Sequence, residues 1–116
     1  MPTHPHTAIV ILNWNGAHHL RRFLPGVLKT NHPNLEIVVA DNGSTDESLA
    51  VVKQEFPSVR VIQLDRNYGF AEGYNRALEQ VSADYFMILN SDVAVEPGWI
   101  TPLVNLLESD PSIAAC

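Results

Sequence analysis

The chain has 116 residues, enough for one domain with a real core and short for two. Its 46% apolar and 17% charged residues are ordinary for a globular domain, and a net charge of −6 argues against a nucleic-acid binder, which needs a basic face to displace counterions. The one cysteine, Cys116, excludes an internal disulfide, and no window approaches the roughly 18 to 20 apolar residues of a membrane span.

Met1-Pro2-Thr3-His4-Pro5-His6 lacks the apolar core of a signal peptide, so residues 1–7 read as a flexible leader to a single domain over residues 8–116. Ala8-Ile9-Val10-Ile11-Leu12 is a continuous, β-branched apolar run, the pattern of a strand covered on both faces. From Ala17 to Lys29, Leu20, Phe23, Leu24, Val27 and Leu28 form a helical stripe that Pro25-Gly26 should kink or break. Glu36 to Ala40 is a second buried strand. Ser44-Thr45-Asp46-Glu47 then reads as a capping box opening a helix with Leu49, Val52 and Phe56 inward. Val59 to Leu64 alternates more, as a strand nearer an edge does. Ala71, Tyr74, Leu78 and Val81 mark one face of a third helix. Tyr85 to Leu89 is a fourth buried strand, and Pro97 fits the first turn of a helix running to about Glu108. Asp110 to Cys116 reads as a turn entering a fifth strand, as in the front part of a longer protein. Strands alternating with helices imply an α/β fold with a parallel sheet.

The strands end in Asn13-Trp14-Asn15-Gly16, Asp41-Asn42-Gly43-Ser44, Asp65-Arg66-Asn67-Tyr68-Gly69 and Asn90-Ser91-Asp92. In an open parallel sheet these ends share one rim, where ligands bind. Each motif alone also reads as a turn. Turns need small polar residues, however, and not a tryptophan, an arginine and two aspartates on the same rim. Trp14 can face a nucleobase, the Asp41 carboxylate can accept an imide N–H, and Arg66 can pair with phosphate. Asp92 can hold a divalent cation, which would offset the repulsion between an acidic chain and a diphosphate. Gly43, Gly69 and Gly73 let the backbone come close. No P-loop is present, and Gly16 alone does not make a dinucleotide fingerprint. His4, His6, His18, His19 and His32 have no partner cysteines and do not read as a zinc site. A phosphoacceptor signalling domain would need an acid pair after the first strand, where this chain has Asn13-Trp14-Asn15.

Ile-Leu-Asn-Trp-Asn-Gly (11–16), Val-Ala-Asp-Asn-Gly-Ser-Thr-Asp (39–46), Arg-Asn-Tyr-Gly-Phe-Ala-Glu-Gly-Tyr-Asn-Arg-Ala (66–77) and Leu-Asn-Ser-Asp-Val (89–93) together resemble glycosyltransferase family 2, and within it the rhamnosyltransferase-like branch. The resemblance implies a GT-A fold, cut after its fourth βα unit, and inverting transfer of a hexosyl or deoxyhexosyl group. The donor would be a UDP-, dTDP- or GDP-linked sugar, the acceptor a glycan or lipid-linked molecule, and the cofactor Mg²⁺ or Mn²⁺. By position, Trp14 and Asp41 would contact the base, and Arg66 and Asn67 would lie near base and diphosphate. Asn90 and Asp92 would be the two ends of the metal-binding D-x-D motif, with Asp92 the metal ligand because Asn90 stands where many members have Asp. The implied nucleotide-binding set is Asn13, Trp14, Asn15, Asp41, Arg66, Asn67, Gly69, Asn75, Asn90 and Ser91. The family's catalytic base comes from beyond the D-x-D motif, so neither Glu72 nor Glu96 is assigned that role. The resemblance also implies a part in cell-wall or surface polysaccharide synthesis, in the cytoplasm or at the inner membrane face. A non-catalytic nucleotide-diphosphate-binding module would use the same rim, and a sheet ending at its fourth strand is expected to self-associate.

Overall fold

A computed structural model describes residues 5–110, 112 and 113. Strands β1 (Thr7–Asn13), β2 (Leu35–Asp41), β3 (Arg60–Gln63) and β4 (Tyr85–Asn90) alternate with helices α1 (Ala17–Leu28), α2 (Ser48–Glu55), α3 (Phe70–Leu78) and α4 (Ile100–Ser109). All strand pairs are parallel, in the order β3-β2-β1-β4. The β-branched runs occupy the middle strands, where both faces need apolar cover, and the alternating β3 lies at an edge.

The strand period of two divides the core into two layers. Ile9, Ile11, Val39, Met87 and Leu89 face Leu20, Leu24 and Val27 of α1, Val52 of α2, and Ile100 and Val104 of α4. Ala8, Val10, Val38, Ala40 and Ile62 face Tyr74 and Ala77 of α3, with Val81 beyond the helix end. One helix thus covers a face that three cover on the other side.

That imbalance corrects the expectation for β4. Met87 and Leu89 are buried, but Phe86 and Ile88 on the α3 side are 38% and 53% exposed, so the strand is covered on one face only. Other elements depart from the sequence pattern for local reasons. Helix α1 runs through Pro25, whose ring is exposed between buried Leu24 and Val27. The proline forfeits one backbone hydrogen bond while the apolar stripe on either side stays in place. Helix α2 opens at Ser48 and not after a Ser44 cap, because Ser44 is engaged by the β1 loop and Asp46 takes the Ser48 N–H at 2.9 Å instead. It buries Val51 and Val52, leaving Leu49 and Phe56 half-covered. Helix α3 turns Gly73, Tyr74 and Ala77 inward. At 100° per residue Ala71 points about 110° from the centre of that stripe, and it is exposed. Pro97 precedes α4: its carbonyl accepts Asn31 N–H at 2.7 Å, while Trp99 Nε1 donates to Thr30 Oγ1 at 2.9 Å, fastening this turn to the end of α1. Asp110 accepts the Ser112 N–H at 2.9 Å in a local turn. The expected fifth strand lies largely outside the described residues.

Thr7, which the sequence pattern assigns to the leader, belongs to the sheet. Thr7 is a buried residue of β1, and His6 is fastened at the strand's foot. Its backbone N–H donates to Asp84 at 2.8 Å, and its ring nitrogens lie 3.2 Å from Asn34 Oδ1 and 3.1 Å from Glu36 Oε2. Oxygen on both sides asks both nitrogens to be donors, so the Asn34 and Glu36 contacts raise the imidazole pKa above its ordinary value. Arg60 on Glu36 and Asp84 complete the charged surroundings. A raised folded-state pKa stabilises fully below the unfolded value of about 6.5 and is lost as pH rises through the folded value. Denaturant titrations of wild type and His6→Gln should therefore differ most below that pH and converge in mild alkali. A gap that widens with pH would exclude a stabilising imidazolium.

Candidate functional site: a cleft over the ends of the parallel strands

The polar ends of β1 and β2 lie side by side, with Asn13 and Asp41 paired in register and both buried. Asn13 Nδ2 donates to Asp41 Oδ1 at 3.1 Å, and Asp41 Oδ2 accepts the Ser44 N–H at 2.9 Å. Both carboxylate oxygens are thus engaged within the protein, and Asp41 shapes the rim from beneath. Asn13 Oδ1 is buried without a hydrogen-bond partner.

Asn15, at a φ of 49°, accepts the Thr45 and Asp46 N–H groups at 2.7 and 3.2 Å, and its own N–H donates to Ser44 Oγ at 2.9 Å. It staples the loop after β1 to the loop after β2. Burial alone would raise the Asp46 pKa, but hydrogen bonds from Ser48 and from Ala17 N–H outweigh it and hold the carboxyl below its ordinary value.

Asn42, which its neighbours in sequence place in a simple turn, organises the third loop. Its Nδ2 donates to Asn67 Oδ1 at 3.2 Å and to the Gly69 carbonyl at 3.1 Å, while its Oδ1 accepts the Tyr68 N–H at 3.0 Å. A buried amide that meets three consecutive residues fixes the course of that loop. Gly69 adopts φ 80° and ψ −178°, a region essentially restricted to glycine. The signal available in the sequence was an amide beside Asp41, with glycine on either side of the arrangement at 43 and 69.

These loops enclose a cleft of about 320 Å³ lined by Leu12, Trp14, Asn42, Asn67, Gly69, Phe70 and Ser91. Trp14 is 55% exposed, which excludes a core role. Of the expected site residues, Trp14, Asn67, Gly69 and Ser91 therefore line the cleft, and Asn13 and Asp41 support it from below. Asn90 ends β4 opposite Leu12, and Asp92 is exposed one residue past Ser91. Asn75 is exposed on α3 and Arg66 is turned aside, so neither lines the cleft. The Arg66 guanidinium lies 4.8 Å from the centroid of Tyr68, whose ring also carries Arg76 at 4.0 Å. Tyr68 donates its hydroxyl to Asp65, and this bond holds that carboxyl below its ordinary value. Beneath the cleft the Tyr74 hydroxyl accepts Leu12 N–H at 3.3 Å and donates to the Leu89 carbonyl at 3.0 Å, bridging β1 and β4. Burial pushes this phenol above its ordinary pKa, so it keeps the proton it donates.

Among the described residues no three His, Cys, Asp or Glu side chains come together as a ready metal cage. The Asn90 carbonyl oxygen and the Asp92 carboxylate are hard donors. One or two such groups suit a Mg²⁺-like cation that draws the rest of its shell from phosphate and water. The donor set therefore fits a cation brought with its ligand.

The architecture is an open parallel α/β sheet with a neutral, aromatic-walled cleft over its strand ends, where sheets of this class bind their ligands. The sequence model described as glycosyl transferase family 2 matches residues 8–116, and the chain belongs to that family. It is 26% identical over 114 residues to an uncharacterized glycosyltransferase of Haemophilus influenzae, covering 96% of this chain and 35% of the relative. It is 27% identical over 118 residues to an N-acetylglucosaminyl-diphospho-decaprenol L-rhamnosyltransferase of Mycobacterium tuberculosis, covering 92% and 38%. Among solved structures, the mannosyltransferase PcManGT of Pyrobaculum calidifontis, in complex with GDP-Man and Mn²⁺, superposes with a TM-score of 0.83 at 22% identity, covering 96% of this chain and 34% of that one. S. aureus TarS 1-349 in complex with UDP-GlcNAc gives 0.78 at 22% identity, covering 90% and 31%. The fold is GT-A. This chain spans about a third of the length of each of these four proteins. No helix among the described residues is long and apolar enough to cross a membrane.

Proposed function

We propose that this chain is the donor-binding part of an inverting glycosyltransferase that moves a sugar from a nucleoside diphosphate to an acceptor hydroxyl. The observation that carries the reading is the exposed Trp14 in a cleft over the ends of β1 and β4, with Ser91 on its wall and Asp92 next in the chain. Trp14 offers a face for the base. Asn67 and Gly69 offer side-chain and backbone groups to the ribose and diphosphate. Arg66 reaches phosphate by leaving the Tyr68 ring, a small loss at an exposed site. A divalent cation held by Asp92 beside Asn90 would supply positive charge to the departing diphosphate, the part of the reaction where negative charge grows. The attacking hydroxyl needs a general base on the opposite face, and no described residue is assigned that role.

Within the family we place the chain in the rhamnosyltransferase-like branch, on its four strand-end motifs and on the mycobacterial relative at 27% identity. A deoxyhexosyl donor and a lipid-linked acceptor at the inner membrane face follow from that placement.

Calorimetry with UDP, dTDP and GDP, each with Mg²⁺ or Mn²⁺, tests the reading. At least one nucleotide should bind, and chelation should remove most of its affinity. Asp92→Ala should abolish the sensitivity to chelator while leaving the melting temperature unchanged, since the side chain is exposed. Affinity indifferent to metal in both proteins would remove the cation from the proposal.

A further inference from the structure

Phe70 has no assigned part in the site, yet it is 67% exposed and lines the same cleft as Trp14. An apolar ring of that size in water at the mouth of a cleft costs hydration free energy, and the protein has fixed it in place. It is the first residue of α3, directly after Gly69, whose conformation only glycine adopts readily. Its ring meets Tyr74 edge-on, with centroids 5.0 Å apart and planes at 72°. Tyr74 in turn is buried and fixed through its hydroxyl to both β1 and β4. A T-shaped contact occupies at most one face of the phenylalanine ring and leaves the other available. No charged side chain lines the cleft between these walls: Leu12 offers apolar contact and Asn67 and Ser91 neutral hydrogen bonds, while the Asn42 amide is committed to the third loop.

We propose that Phe70 is a second base-recognition wall, facing a planar heterocycle whose other side is met by Trp14. The inference rests on the nucleotide reading above and adds to it a residue and a division of labour. The two aromatic walls take the base, while Asn67 and Gly69 at the cleft and the charged groups outside it take the ribose and diphosphate.

The experiment compares a ligand that has a base with one that does not. The 116-residue chain is titrated with UDP, dTDP and GDP, and separately with inorganic pyrophosphate, all with Mn²⁺. Phe70→Ala should weaken the nucleotide that the parent binds on the order of ten- to a hundredfold, as removal of a base-stacking aromatic does. Pyrophosphate affinity should not change. Phe70→Trp should restore nucleotide affinity, whereas Phe70→Leu, which keeps apolar contact with Tyr74 but offers no π-face, should not. Melting temperatures should stay level across the series because the side chain is mostly exposed. Parent-like nucleotide affinity in Phe70→Ala overturns the proposal. So does an equal loss for nucleotide and pyrophosphate, which would mean that the substitution disturbs the loop and not base contact. Failure of the parent to bind any of the three nucleotides overturns the nucleotide reading itself, and this inference with it.

Discussion

Gly43→Ala should destabilise the domain by about 2 to 5 kcal/mol, the sum of left-handed backbone strain and overpacking. Gly43 sits at φ 75°, and a Cβ there would fall 2.6 Å from the Arg66 carbonyl carbon, 2.7 Å from Asn67 N and 2.8 Å from Arg66 Cα. All three obstacles are backbone, so no side chain can swing away to relieve the contact. The loop after β3 would have to move, and with it the Asn42 bonds that hold residues 67 to 69. Urea titration of wild type and variant should show a lower midpoint with little change in slope, because the surface exposed on unfolding is nearly the same. A variant of wild-type stability would mean that the two loops are not pressed together as described.

Trp14→Ala should separate binding from folding in the opposite sense. Because the side chain is 55% exposed, its removal leaves no cavity and should shift the melting temperature little. The loss of roughly 3 to 5 kcal/mol expected on truncating a buried tryptophan does not apply. Nucleotide affinity should instead fall by about 1 to 3 kcal/mol, the usual worth of a base–aromatic stack. Calorimetry and a thermal melt on the same preparation check both halves. A large stability loss with unchanged affinity would return Trp14 to the core.

The strands, and the burial of β1 and β2, were legible because a run such as Ile9-Val10-Ile11 suits a strand covered on both faces, and the alternating residues of β3 marked one of the two edges. Helix boundaries were less legible. Ser44 has the sequence of an N-cap, but its hydroxyl is taken by Asn15 N–H, a contact 29 residues distant that no local pattern encodes. The exposure of Phe86 and Ile88 was hidden for a similar reason, since it depends on which helix covers which strand. At the site, residue type pointed to the rim but did not sort contact from support. Asp41 and Asn15 carry the right chemistry for a ligand and also bond groups in and beside their own loops, which the sequence does not show. Asn42 has the pattern of a turn residue and Phe70 lies unmarked inside a longer motif, yet both line the cleft.

The manner in which the rim is joined has a consequence for how such a cleft can change over generations. Its three loops are tied by amide and hydroxyl bonds from Asn13, Asn15, Asn42 and Ser44, while the strands beneath are held by apolar burial. Each tie contributes only about 0.5 to 1.5 kcal/mol net, so altering an exposed one, such as that from Thr45 N–H to Asn15, reshapes a wall without approaching the stability of the sheet. The shape of the cleft can therefore drift by single substitutions in the loops. The scaffold beneath them has no need to change in step.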